Sequence, residues 1–96
     1  MQSEQAVQKK IIDYLEKELG AVSFKIVQSN KRGTPDILAC LNGQFIAVEV
    51  KKKGKLSTVT PIQQHQLSQI LLAGGIAILT DDLAQFKEIL AQCVDL

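Results

Sequence analysis

The sequence predicts an α/β fold with a mixed central sheet, on three observations. Asn42-Gly43 separates two alternating apolar runs, the strongest short-range signal for a β-hairpin, because both central residues of a type I′ turn need φ > 0. Residues 3–19 carry apolar side chains at helical spacing. Beyond the hairpin a capped helical segment, a short apolar strand and a second amphipathic segment follow in turn. The expected order is helix, three strands including the hairpin, helix, strand and C-terminal helix, in a single domain of residues 1–96.

In the first helix Val7, Ile11, Leu15 and Leu19 form one stripe joined by Ile12, with Ser3 as N-cap and Gly20 as the stop. Glu4 shares the face of that stripe and has two readings: a first-turn acid favoured by the helix dipole, or a member of a site. Residues 22–29 alternate and predict a strand, 30–33 a loop, and 36–41 with 44–51 the hairpin strands. Residues 54–60 are polar and expected to be mobile. Thr60-Pro61-Ile62-Gln63 then has the pattern of a capping box with proline at the first helical position. Gln63 is either that cap or a site residue at the end of a helix whose Gln63, Leu67, Ile70 and Gly74 share a face. Gly74-Gly75 ends the helix, residues 76–80 read as a buried strand, and Asp81-Asp82 cap a last helix with a stripe of Leu83, Phe86, Leu90 and Cys93.

A two-residue loop fixes the hairpin register. Leu41 then opposes Gln44, Cys40 opposes Phe45, Leu38 opposes Ala47 and Asp36 opposes Glu49. Side chains alternate, so Asp36, Leu38, Cys40, Phe45, Ala47, Glu49 and Lys51 share one face, and Ile37, Ala39, Ile46, Val48 and Val50 share the other. Both faces are largely apolar, which predicts a central, buried hairpin with a polar triplet at one end. Directly opposed carboxylates repel unless a cation lies between them. A divalent ion such as Mg²⁺, commonly held by one or two carboxylates and water, fits Asp36 and Glu49. With Lys51 beside it, such a site suits in-line attack of water on a phosphodiester. The competing reading has Asp36 capping a turn and Glu49 paired with Lys51 or Lys52.

Nearly half the residues are hydrophobic (46%), enough for one core in 96 residues, and no apolar run approaches the ~18 residues of a membrane span. The start, Met1-Gln2-Ser3-Glu4, has neither the basic region nor the apolar stretch of a signal peptide, so a cytoplasmic protein is expected. Cys40 and Cys93 occupy apolar-patterned positions without ligand-like neighbours and are expected as buried free thiols. The lone His65 lies between glutamines, and no nucleophilic triad, glycine-rich phosphate loop, repeat or organic-cofactor motif is present. Net charge is only +1, yet two basic clusters flank the acidic end of the hairpin: Lys31-Arg32 before it, and Lys52, Lys53 and Lys55 after Lys51. Lysine and arginine in that placement suit nucleic-acid phosphates.

The element order together with Pro35-Asp36 and Glu49-Val50-Lys51 resembles the PD-(D/E)XK nuclease superfamily, whose core is restriction-endonuclease-like. Finer features resemble its VRR-NUC (virus-type replication-repair nuclease) family: Glu4 with Val7-Gln8, Gly33-Thr34-Pro35-Asp36, Val48-Glu49-Val50-Lys51, and the stretch from Gly54-Lys55-Leu56-Ser57 through Thr60-Pro61-Ile62-Gln63 to Leu67, Ile70 and Ala73-Gly74. The resemblance implies that Asp36, Glu49 and the Val50 carbonyl bind Mg²⁺, with Mn²⁺ as a substitute, and that Lys51 positions or activates water. It adds Glu4 and Gln63 to the catalytic set. It further implies a stand-alone phage or bacterial enzyme that nicks branched DNA, four-way junctions above all, as a homodimer whose interface involves the last helix or the edge of the 76–80 strand. Alternatives are a flap or non-selective DNA nuclease and a non-catalytic nucleic-acid-binding or interaction subunit.

Overall fold

The computed structural model describes residues 2–96. Its elements are α1 (Glu4–Asp13), β1 (Val22–Lys25), β2 (Ile37–Leu41), β3 (Gln44–Val50), α2 (Pro61–Leu72), β4 (Ile76–Thr80) and α3 (Leu83–Cys93). The sheet has the order β1-β2-β3-β4. The first three strands are antiparallel and β4 runs parallel to β3, as a strand reached through a crossover helix must be able to do. This is the mixed α/β fold expected.

Ser3 caps α1 by accepting from the Ala6 N–H at 3.1 Å. The helix continues through Tyr14–Glu18 as a turn widened to i→i+5 bonding, with Leu19 N–H donating to the Tyr14 carbonyl. Val7, Ile11 and Leu15 are fully buried and pack with Ile37, Ile46, Val48, Val50, Phe86 and Leu90, so the core lies between one sheet face and the pair α1 and α3. The predicted stripes therefore point where their periodicity requires.

Asn42 (φ 52°) and Gly43 (φ 79°) both adopt the left-handed conformation that the type I′ turn demands, and the ladder pairs Leu41 with Gln44, Cys40 with Phe45 and Leu38 with Ala47. β1 is shorter than the expected 22–29. It ends at Lys25, Ile26 makes one more bond to the Asp36 carbonyl, and the chain then leaves the sheet with Val27 92% exposed. The segment 54–60 contains a 3₁₀ turn at Leu56–Thr58, and Gly54 N–H donates to Asp81 Oδ2 at 2.8 Å, so it is tied to the end of β4.

Two expectations need correction. The hairpin is not buried on both faces: α2 packs chiefly against β3 and β4, and Cys40 and Phe45 are exposed on the second face. Both cysteines are exposed free thiols. Cys40 lies at the hairpin end beyond the reach of α2, while at the end of α3 it is Val94, not Cys93, that turns toward the core.

Candidate active site at the end of the hairpin

Asp36 stands immediately before β2, and its backbone and side chain are both held. The carbonyl accepts from Ile26, and Oδ2 accepts from the Val50 N–H at 2.7 Å, the donor left over beyond the first residue of β2. Pro35 is buried, so the approach to Asp36 is fixed by a rigid, packed residue. Gly33 sets the preceding loop against α2. Its φ is +77°, and a Cβ there would lie 2.9 Å from the Ile62 backbone, so only glycine permits this approach.

Glu49 is the most buried ionisable side chain of the site, at 2% exposure. Burial raises its pKa to about 8, helped by the charge of Asp36 and hydrogen bonding to it, and to a smaller extent by Glu4, while Lys51 acts in the opposite sense. Asp36, Glu49 and, at the margin, Glu4 therefore share one negative field. Glu49 Oε1 is buried with no hydrogen-bond partner among the described residues. Two close carboxyls, one with an orphaned oxygen on an otherwise apolar strand, form a donor set that a small hard cation would complete. No cluster of three or more His, Cys, Asp or Glu side chains suited to a metal forms among the described residues.

Lys51 is 12% exposed, with Nζ 3.7 Å from Glu49 Oε2. It also donates to Gln63 Oε1 at 2.9 Å. Gln63 makes the capping bonds and also contacts both Lys51 and Glu49. Its Oε1 accepts from the Thr60 N–H at 2.9 Å, completing the capping box with the Thr60 hydroxyl, and its Nε2 donates to Glu49 Oε2 at 3.3 Å. One carboxamide thus ties the start of α2 to both the acid and the base-side ammonium of the hairpin.

No family model matches the sequence. The described protein "Putative nuclease p44" of Acyrthosiphon pisum secondary endosymbiont phage 1 is 33% identical over 63 residues, spanning 65% of this chain and 67% of that protein. A solved "VRR_NUC domain" superposes with a TM-score of 0.78 at 23% identity, covering 98% of this chain and all of its own. A "VRR_NUC domain protein" gives 0.76 at 16% identity, covering 100% of this chain and 91% of its own. The chain belongs to the family of that phage nuclease and has the fold of the VRR_NUC domains.

In this nuclease the flanking cations are not equivalent. Lys31, Arg32, Lys52 and Lys55 are exposed, whereas Lys53 pairs with Asp82 at 3.5 Å. The Arg32 carbonyl accepts from Gln66 Nε2, and the Lys55 N–H closes a turn on Lys52, so backbone bonds place both basic loops. Asp82 also caps α3, and Asp81 is the anchor for Gly54. Asp82 is the helix cap the sequence predicts, whereas Asp81 is not a cap and holds the Gly54 loop instead. Gln8, part of the first-helix pattern that carries the resemblance but assigned no role there, also belongs near the site. It is 5% exposed, one helical turn from Glu4, and its Oε1 is buried without a partner among the described residues. The signal was available in its i+4 spacing from Glu4 at the edge of a stripe otherwise filled by Val7 and Ile11.

Proposed function

We propose that this VRR-NUC nuclease is a Mg²⁺-dependent endonuclease that hydrolyses phosphodiester bonds in branched DNA, with four-way junctions as its preferred substrate, inside the bacterial or phage-infected cell. The observation that supports the metal dependence is the buried Glu49 beside the half-buried Asp36, with Glu49 Oε1 left without a partner among the described residues. Asp36, Glu49 and the Val50 carbonyl would hold the ion, with Mn²⁺ able to replace it. When bound, Mg²⁺ supplies Lewis-acid stabilisation of the charge that builds on the phosphate.

The remaining work falls to side chains of this chain. Lys51, fixed by Gln63, directs its free donors at the attacking water and the phosphate oxygens. The water oxygen forms one P–O bond as one ester P–O bond breaks, the water loses a proton and the leaving oxygen gains one. Lys31, Arg32, Lys52 and Lys55 hold flanking phosphates, and Glu4 shapes the field at Glu49 from the start of α1. Two copies related by a two-fold axis would present two sites to the two-fold related strands of a four-way junction.

The test is cleavage of labelled four-way junction, flap and linear duplex in Mg²⁺, Mn²⁺ or EDTA, beside Glu49→Ala and Lys51→Ala. Metal-dependent cleavage that falls roughly 10²–10⁴-fold in each variant is expected. Absence of metal-dependent cleavage of every substrate refutes the enzyme. Linear duplex cut as fast as the junction removes the preference for branched DNA.

A further inference from the structure

The strand face that carries the catalytic side chains continues beyond them. Asp36, Leu38, Phe45, Ala47 and Glu49 lie on one side of the hairpin, and Leu38 stands two residues from Asp36, about 7 Å along the strand. There the surface opens into a hollow of about 290 Å³ between the hairpin, α2 and the loop that leads to Asp36. Its lining is of two kinds. Pro35, Leu38, Phe45 and Ile70 are apolar, and Phe45 is 47% exposed. Lys31, Gln66 and Gln69 add a cation and two carboxamides.

Hydrogen bonds hold the hollow in shape before anything enters it. The Thr34 hydroxyl donates to the Lys31 carbonyl at 2.7 Å, and the Lys31 N–H donates to Ser29 Oγ at 3.2 Å, so the loop is folded on itself. Gln66 Nε2 donates to the Arg32 carbonyl at 3.2 Å, which ties the loop to α2 and leaves Gln66 Oε1 as an acceptor. A site formed in advance loses little entropy when it is filled. An aromatic face for a base, amides for its edge and a cation for its phosphate are the components from which single-strand nucleotide sites are built. The volume lies at the lower bound of the roughly 300–1,000 Å³ of small-molecule sites, which suits one base rather than a stacked pair. An apolar protein segment is the poorer occupant, because it would cover the Lys31 ammonium and two carboxamides without offering them partners.

We propose that this hollow receives one unstacked nucleobase, from the nucleotide next to the scissile phosphate, with the base against Phe45 and its phosphate at Lys31. This rests on the nuclease reading and deepens it by naming what the enzyme recognises in branched DNA. Leu38 and Asp36 are one nucleotide's reach apart, so a base in the hollow leaves the neighbouring phosphate at Asp36 and Glu49. Taking a base out of the stack is least costly where pairing is already broken, as at a branch or a bulge, and fully paired duplex meets that cost in full. Carboxamides offer both donors and acceptors, so the hollow takes any base and selects structure rather than sequence.

The experiment places 2-aminopurine, which brightens on leaving the stack, at each nucleotide around the branch of a four-way junction and binds the full chain in EDTA. Cleavage in Mg²⁺ is then compared on the intact junction, the junction made abasic at the responding nucleotide, paired duplex, and duplex with one bulged nucleotide. Ala73→Phe fills the hollow from its exposed rim and Phe45→Leu removes the aromatic face, with circular dichroism as the folding control. One nucleotide beside the cut should brighten with wild type and not with either variant. The abasic junction should be cut roughly 10-fold more slowly than the intact one, and bulged duplex should be cut beside its bulge. No responding nucleotide, a response unchanged in folded variants, or an abasic junction cut as fast as the intact one overturns the proposal. The abasic comparison uses wild type alone and decides even if both variants misfold. If Ala73→Phe instead alters the sedimentation mass of the free protein while the response persists, the hollow is a protein contact and the proposal falls. Absence of cleavage on every substrate refutes the nuclease reading, whereas the response in EDTA judges the hollow separately.

Discussion

Gln63 joins three tasks in one side chain: it closes the capping box on Thr60, holds Lys51 and donates to Glu49. Thr60→Ala separates these tasks, because it removes the cap while leaving the tether to Lys51. Each of Thr60→Ala and Gln63→Ala should lose about 1 kcal/mol in urea melts. Only Gln63→Ala should lose cleavage as well, by roughly 10–100-fold. Equal cleavage by the two variants would reduce Gln63 to its capping role. Glu49 makes a second prediction at this scale. Its folded-state pKa, about 8, lies above the ordinary carboxylate value, so between those limits the folded protein binds a proton that the unfolded chain has released. The stability this contributes is present at low pH and lost as pH rises through about 8. In EDTA the Tm of the wild type should therefore decline from pH 5 to pH 8.5, and that of Glu49→Gln should not. A Tm that climbs over this window in the wild type would contradict the placement of Glu49 beside Asp36.

Among the elements, the two glycines that shape the hairpin and its approach differ in what surrounds them. Gly43 has φ +79° and open space at its missing Cβ, so Gly43→Ala should cost about 1 kcal/mol of stability and leave cleavage untouched at temperatures below unfolding. Gly33 has φ +77° and the Ile62 backbone 2.9 Å from where a Cβ would stand. Gly33→Ala should push the Asp36 loop away from the start of α2, displacing Gln63, and so reduce cleavage as well as Tm. The hairpin register was legible in the sequence because a type I′ turn admits few residues at its two φ > 0 positions, and Asn42-Gly43 names them. The caps at Ser3, Thr60 and Asp82 were legible for a similar reason, each being a local bond between near neighbours. Burial was less so. Periodicity shows that a strand has an apolar side but not whether another layer covers it, which is why Cys40 and Phe45 were expected inside and lie outside. Gln63 was ambiguous because its second role depends on Glu49 and Lys51, brought to it by folding and not by spacing.

At the scale of the whole molecule, charge and apolar surface are segregated to different ends of the hairpin. The turn end carries Cys40 and Phe45, and the opposite end carries Asp36, Glu49 and the basic loops, so electrostatic affinity for DNA should come from the second end alone. With a net charge of only +1, that affinity depends on placement and must be sensitive to salt. Lys52→Ala and Lys55→Ala should each weaken junction binding and lower the slope of log K against log salt by about 1, since both side chains are exposed. Lys53→Ala should change the slope less, because its ammonium is already engaged by Asp82. If metal affinity, followed by the Mg²⁺ dependence of Tm, is unchanged in all three while the slopes differ in that order, the lysines act as a phosphate rim and the carboxylates as a separate centre. Slopes identical to the wild type would make the lysine run a solvated loop, and junction binding would then have to be sought at Lys31 and Arg32 on the other side of Asp36.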